Sequence, residues 1–387
     1  MPIAIKESSV QHWALRCVGV AALAAVVAYL ASGAAPSTLG KVTEACTLAI
    51  AAVALNLLLG FNGQISLGHS TFAGLAAFVG GYSVNAWHWN PWLSLGVACV
   101  VCFVLGVTLG LPALRLKGPY LALVTLAVAF VWPTVARKFL NQTVKASTLK
   151  GMRLKPPSWT GLSNNRVDRS LFLFWLSLAL LLVAYVIVRN LRKSRVGRSL
   201  VAVRDNETAA AVMGVNLALT KTLTFGISAA IAGIAGWLAA AQLATLDENS
   251  FTILSSIKYL LALFLGGAAT LAGPVVGAFT YFFVDDLLKT HAPNWHFLPG
   301  PLSKGPVASF LLGVVVIVFV FIAPYGLVGF VKAQARRIAL VVPRPLRQQQ
   351  APAQGDTQGD TQGDTQGDTQ GDTEPTEEDS PAPAGEM

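Results

Sequence analysis

The chain has 387 residues, of which 54% are hydrophobic and only 12% charged, against about a quarter charged in a soluble domain. Mean hydropathy is +0.58. This balance excludes a soluble multidomain enzyme and, outside the C-terminal end, a disordered chain; it fits a polytopic helical membrane protein, because apolar runs of roughly 20 residues cross a bilayer as helix.

The net charge of +9 is unevenly spread. Residues 351–387 hold ten acids (Asp356, Asp360, Asp364, Asp368, Asp372, Glu374, Glu377, Glu378, Asp379 and Glu386) and no Lys or Arg, so the rest of the chain carries +19. Its basic residues flank apolar runs. They point to the anionic membrane surface and not to nucleic acid.

In chain order, residues 1–16 read as a cytoplasmic N-terminus carrying Lys6 and Arg16. Cys17–Ala35 follows, with Ala31-Ser32-Gly33-Ala34 resembling a cleavage site. A 19-residue run is long for the core of a signal peptide, so it is read as a retained first span. Nine further spans are predicted: Ala45–Phe61, Ile65–Trp87, Trp92–Leu114, Pro119–Ala136, Leu171–Val188, Leu223–Leu246, Tyr259–Ala272, Pro274–Leu288 and Val307–Val331. Together residues 17–331 make a transmembrane domain. The shortest spans suggest broken or re-entrant helices.

Lys and Arg set the orientation. Loop 189–222 carries Arg189, Arg192, Lys193, Arg195, Arg198, Arg204 and Lys221, and the stretch after the last span carries Lys332, Arg336, Arg337, Arg344 and Arg347. Both are expected in the cytoplasm. Six spans precede the loop, so the N-terminus is expected there too, with Arg115 and Lys117. An even number of crossings must then separate the two basic stretches, and a break near Gly273-Pro274 supplies it. Gly273→Leu is accordingly expected to do more harm than Gly277→Ala. Segment 137–170 opposes the pattern. It falls outside with eight basic residues (Arg137, Lys138, Lys145, Lys150, Arg153, Lys155, Arg166 and Arg169) and one acid, Asp168. Either the topology differs locally or that face has an external partner.

Residues 332–387 read as a cytoplasmic tail. Gln-Gly-Asp-Thr repeats five times from Gln354 to Thr373. With nothing apolar to bury, 351–387 is expected to be disordered, solvated and dispensable for transport.

Catalytic chemistry has no foothold. The sequence holds no G-x-x-x-x-G-K-[ST], H-E-x-x-H or nucleophile elbow, and no Cys/His metal cluster. Cys17, Cys46, Cys99 and Cys102 lie in apolar runs, and Cys99-Val-Val-Cys102 reads as helix packing. The spans lack the buried ionisable residues of ion-coupled carriers; Glu44, Asp285 and Asp286 fall near span ends.

Two segments stand out. In Leu57–Gly74, polar Asn62, Gln64, Ser66, His69 and Ser70 are interspersed with Gly60, Gly63, Gly68 and Gly74. A broken helix lining or gating a pathway and a plain cytoplasmic turn explain this pattern equally well. In Arg195–Gly214, Val196, Leu200 and Val203 share one helical face. Asp205 is placed to cap a second short helix ending at Gly214. This is either a docking element or a basic helix on lipid headgroups.

Three blocks, Leu57–Gly74, Ser194–Asn216 with Lys221, and Leu265–Gly277, resemble the inner-membrane permease subunits of branched-chain amino acid ABC transporters and the related urea and amide permeases. The similarity covers roughly residues 42–331. It implies an all-α polytopic bundle in the cell inner membrane, paired in a heterodimer with a second permease. Two ATPase subunits would hold ATP and magnesium, and an extracytoplasmic binding protein would deliver substrate; this chain itself would bind no cofactor or metal. The family's docking loop carries E-A-A-x-x-x-G. Ala209, Ala210 and Gly214 fit, whereas Thr208 stands at the acid position with Glu207 one residue before it. The resemblance implies docking through Arg195, Gly197, Arg198, Leu200, Asp205, Glu207, Ala209, Ala210 and Gly214. Pathway or helix-break candidates are Asn62, Gly63, Gln64, Ser66, His69, Gly266, Gly267, Gly273 and Pro274. The implied substrate is a branched-chain or other small amino acid, with urea or a short-chain amide as the alternative; the rival class is an ion-coupled secondary transporter or channel. Basic residues replace the Gly-rich stretch expected at 141–155, and the Gln-Gly-Asp-Thr tail has no counterpart in the family.

Overall fold

A computed structural model describes residues 3–6, 36–112, 119–157, 161, 163, 165–291, 306–323, 326–330, 334 and 339–342. All belong to one compact unit, Met1–Val342. The first predicted span, Cys17–Ala35, and the acidic tail lie outside the described residues, as do Arg115, Lys117 and the basic residues Lys332, Arg336, Arg337, Arg344 and Arg347.

The chain is all-α. Helix α1 (Pro36–Asn56) runs on through a π-helical turn, Leu57–Phe61. Then come α2 (His69–Ala86), α3 (Pro91–Gly110), α4 (Pro119–Phe139, extended by a π turn at Leu140–Val144) and α5 (Arg166–Lys193). Two short helices, α6 (Arg195–Asp205) and α7 (Glu207–Val212), lead into α8 (Leu217–Gln242). Helices α9 (Ile253–Gly266), α10 (Gly273–His291) and α11 (Pro306–Ile322) follow. Small strand pairs accompany them: β1 (Ile3–Lys6) is parallel to β4 (Ala339–Val342), and β2 (Leu149–Lys150) is antiparallel to β3 (Thr245–Leu246).

Local sequence explains most of the ends. Asn90 accepts a hydrogen bond from the Trp92 N–H at 3.0 Å with Pro91 in the first turn of α3, and Asn216 accepts one from Leu219 at 3.0 Å to start α8. Helix α5 places Asp168 in its first turn and Arg192 and Lys193 in its last, matching the helix dipole. At 28 residues it is about 42 Å long.

Five described helical stretches are long and apolar enough to cross a bilayer: Pro36–Phe61, Pro91–Gly110, Tyr120–Val144, Arg166–Lys193 and Leu217–Gln242. Helices α1 and α8 form the centre. Ile50, Leu57, Phe225, Trp237 and Leu238 are fully buried there. Small residues bring α8 close to its neighbours. A Cβ on Gly236 would strike the Ala73 carbonyl, and one on Gly106 of α3 would meet the Ala229 Cβ at 2.6 Å. Val100, Val104, Leu123, Phe130 and Leu182 on α3, α4 and α5 instead face outward. Such a face is stable in hydrocarbon, where apolar exposure carries no penalty.

The stretch predicted to break at Gly273-Pro274 is two helices. The interruption is Gly267–Ala272, and Gly273 and Pro274 open α10, where proline's missing N–H costs nothing. Helices α9 and α10 fold back on each other as a hairpin. A Cβ on Gly277 would collide with the Ala262 carbonyl, and one on Gly266 with the Gly273 carbonyl. At Gly277, too, even a methyl has no room against backbone, which narrows the expected gap between Gly273→Leu and Gly277→Ala. Helix α9, at 14 residues or about 21 Å, is shorter than a bilayer's hydrocarbon core of about 30 Å.

Candidate functional site

Helix α2 begins inside the bundle, so the N–H groups of its first turn need partners away from water. Other helices supply them. The Ser70 N–H donates to Ser256 Oγ of α9 at 2.9 Å, and that hydroxyl donates on to Ser70 Oγ at 2.7 Å. Thr125 Oγ1 of α4 accepts from the Leu67 N–H at 3.0 Å. A Cβ on Gly68 would meet the Thr125 carbonyl oxygen at 2.6 Å, so the loop before α2 lies directly on α4.

His69 is fully buried and joins three segments. Its Nε2 lies 2.8 Å from Ser228 Oγ of α8, and its Nδ1 lies 3.1 Å from Ser66 Oγ. The Ser228 hydroxyl gives its one proton to the Ala54 carbonyl of α1 at 2.5 Å. It therefore accepts from His69, which assigns a proton to Nε2. Histidine here is a structural link between α2, α8 and, through Ser228, α1.

The second interruption is satisfied in the same way. Asn56 of α1 is buried; its Oδ1 accepts from the Ala269 N–H at 3.0 Å and its Nδ2 donates to the Thr270 carbonyl at 2.8 Å. One amide side chain thus serves both backbone groups of the Gly267–Ala272 turn. Thr270 Oγ1 donates to the Gly267 carbonyl and accepts from the Gly273 N–H, closing the turn onto α10. Gly267 has φ +104°, a conformation open to glycine.

The two sequence segments singled out above meet. Arg204 of α6 donates to the Gly60 carbonyl at 3.0 Å and holds Asp205 through Nε and Nη2. A Cβ on Gly63, whose φ is +72°, would meet Arg204 Cγ at 2.9 Å. Arg192 of α5 stacks its guanidinium over Phe61 at 5.3 Å. Glu207 pairs with Lys221 at 2.7 Å. Asn62, Gly63, Gln64, Leu121, Val203, Arg204, Asp205, Asn206, Glu207 and Lys221 line a polar cleft between the helix break and the short helices. Asn62 Nδ2 donates to Gln64 Oε1 at 2.8 Å, and Asn62 Oδ1 is buried without a partner among the described residues.

The short helices differ from the sequence reading in two details. The buried face is Gly197, Leu200 and Val203, while Val196 is 42% exposed. A Cβ on Gly197 would strike the Arg192 carbonyl, which fixes the rotation of α6 against the end of α5. The cap of α7 is Asn206 and not Asp205: the Asn206 side chain accepts from the Ala209 N–H at 3.0 Å, whereas Asp205 is occupied by Arg204. Gly214 has φ +82° and ends the element in a Schellman turn. Gly214 N–H bonds the Ala211 carbonyl and Val215 N–H the Ala210 carbonyl, both at 3.0 Å. Arg195, Arg198, Ala209, Val212 and Met213 are exposed, and Ala210 is buried.

Other candidates take structural places. Cys102 donates to the Phe72 carbonyl at 3.2 Å, and Cys46, Cys99 and Cys102 are free thiols. Asp286 pairs with Lys41 and Asp285 with Lys289. Sequence reasoning missed Arg204, Asn56, Ser228 and Ser256 as members of the site. A polar residue inside a predicted span was the available signal for Asn56 and Ser228; Ser256 falls between predicted spans.

Residues 37–320 match the family model described as branched-chain amino acid transport system / permease component. The high-affinity branched-chain amino acid transport system permease protein LivM of Escherichia coli is 28% identical over 62% of this chain. The chain spans 61% of that relative's length. The probable LivM of Methanocaldococcus jannaschii is 25% identical over 62% of the chain and 70% of its own length. The autoinducer 2 import system permease protein LsrC of Salmonella typhi is 26% identical over 63% and 69%. No solved structure matches the chain.

Proposed function

The chain belongs to the family of branched-chain amino acid transport permease components, and from that premise we propose that it is the membrane-spanning permease subunit of an ATP-binding cassette importer for branched-chain or other small amino acids. Being a multi-pass transport permease, it supplies a path and not a reaction. In this reading it sits in the inner membrane with both termini cytoplasmic, beside a second permease. Two ATPase subunits drive it, and an extracytoplasmic binding protein feeds it.

One observation carries the reading: Arg204 ties α6 to the carbonyl of Gly60 at the broken end of α1. A force applied to α6 and α7 enters the bundle there, where α1 and α8 meet through His69, Ser228 and Ala54. ATPase closure pushes on the exposed residues Arg195, Arg198, Val212 and Met213. Buried Leu200, Val203 and Ala210 hold the short helices to the bundle while Arg204 passes the displacement on. The interruptions at 62–68 and 267–272 are where helices can swing without tearing a continuous hydrogen-bond ladder.

Purification of the chain from its native membrane tests this. The expected complex contains ATPase subunits and a second permease, and after reconstitution it takes up leucine only with ATP and binding protein. A chain that purifies alone and moves solute without ATP overturns the importer reading. Uptake of urea in place of leucine overturns only the substrate.

A further inference from the structure

We propose that the basic segment around β2 is a preformed, positively charged docking face for the acidic surface of the soluble substrate-delivery protein. The proposal rests on the importer reading and adds to it the place and the chemistry of the contact.

The residues alternate. Leu149, Met152 and Leu154 are buried, while Lys150, Arg153 and Lys155 are exposed. The apolar side chains pin the segment to the bundle and leave the cations on the outside. The backbone is held as well: Met152 N–H donates to the Ala240 carbonyl at 2.8 Å, Gly151 N–H to the Ala244 carbonyl at 2.9 Å, and Asn85 Nδ2 to the Lys150 carbonyl at 2.7 Å. A face held this way presents its charges without the ordering cost of a free loop.

Among the described residues its charge is only partly offset, and Lys150, Arg153 and Lys155 form no ion pair. Between 137 and 170 stand eight bases and one acid. That acid, Asp168, accepts from the Ser163 N–H. Across the strand pair, Glu248 is taken by Arg137 and Asp247 by its own turn through Asn249 and Ser250. Arg153 stands close enough to Arg169 to repel it. Like charges held near one another carry a cost that an acidic partner removes.

Position selects the partner. The segment lies over the ends of α2 and α8, with Met152 against Gly80, Leu149 against Gly81 and Gly151 against the Leu243 carbonyl. Helix α8 is at the centre of the bundle. Outward apolar faces lie on the flanking helices, among them α3, α4, α5, α10 and α11, whereas α8 is buried, so these cations sit over the middle of the protein and not along its lipid rim. This end is opposite to α6 and α7. Lys and Arg are normally scarce on that side of a membrane.

The test uses the assembled transporter in neutral phosphatidylcholine nanodiscs, with its own substrate-binding protein as the probe. Changing Lys150, Arg153 and Lys155 together to Glu should slow association about tenfold or more at low ionic strength, with the gap closing at high salt. The triple change to Gln should give a smaller slowing of the same kind, and it decides the matter if the Glu version fails to assemble. Equal association of wild type and variants overturns the docking face and leaves the importer reading standing. A loss that ignores salt overturns it as well. So does unchanged association accompanied by loss of bound phosphatidylglycerol from complexes in anionic nanodiscs, because that identifies a lipid surface. Failure of the wild-type complex to bind the probe overturns the importer reading, and the docking face with it.

Discussion

Glu207 and Lys221 meet at 2.7 Å across the turn joining α7 to α8, with the lysine side chain 6% exposed and the glutamate 37%. Glu207 therefore turns back to hold the root of α8. Removing it strands a nearly buried ammonium, although water reaching the glutamate moderates the loss. Glu207→Gln should cost about 1–2 kcal/mol, and Lys221→Met a similar amount. Thermal unfolding of both singles and the double should show a coupling near 1 kcal/mol. Strict additivity would mean that the pair contributes nothing.

Ala210 is buried on the inner face of α7, and Gly214 closes that helix with positive φ. Ala210→Asp puts an unpaired charge against the bundle. Gly214→Val strains the backbone by about 1 kcal/mol or more, even though its surroundings are open. Both should weaken the stimulation of ATP hydrolysis by loaded binding protein while that protein's own affinity for substrate is unchanged. Full stimulation in both variants would remove α7 from the coupling route.

Asn56→Leu leaves the Ala269 N–H and the Thr270 carbonyl without their partner inside the bundle. The expected cost is about 2–4 kcal/mol, seen as a lower unfolding temperature in detergent and as reduced assembly. Asn56→Asp keeps the acceptor and loses the donor, so it should fall between. A leucine variant as stable as wild type would show that water reaches the turn.

Gly277→Ala should damage the α9–α10 hairpin as severely as Gly273→Ala, because in each case the added methyl meets a backbone carbonyl that cannot swing away. Expression and unfolding temperature of the two variants measure this. A harmless Gly277→Ala would mean that the hairpin opens readily.

Single cysteines at Ser199 and Ser147 should react with an impermeant thiol reagent from opposite faces of the membrane. The first lies in α6 and the second beside β2. Labelling from one face would refute the orientation.

Helix existence was legible because its signal is local: apolar runs, Asn90-Pro91 at the head of α3, Gly214 at the end of α7. The two important segments were legible as well, since glycine and polar residues crowd them. Their meeting was not. Arg204 and Gly60 are 144 residues apart, Ser70 and Ser256 186, and no periodicity links them. The choice of Asn206 over Asp205 as cap turned on Arg204 competing for the aspartate. The break at Gly267–Ala272 was placed late because Gly273-Pro274 is an equally good helix opening. The pairing of β2 with β3 is not legible either, because the two strands are far apart in sequence.

The Asn56 contact also orders events during biosynthesis. The residue that satisfies Asn56 Oδ1 is 213 positions later in the chain. A ribosome adding residues at about 5–20 per second delivers it roughly 10–40 seconds after Asn56 itself. For that interval the end of α1 sits in or near the membrane with its side-chain amide unmatched, and so does the Ser70 N–H of α2, which waits for Ser256. The early helices can thread the bilayer as they emerge, but their final packing must await the second half. A chain stopped before Ala269 would be inserted and unfinished, a ready substrate for quality-control proteolysis.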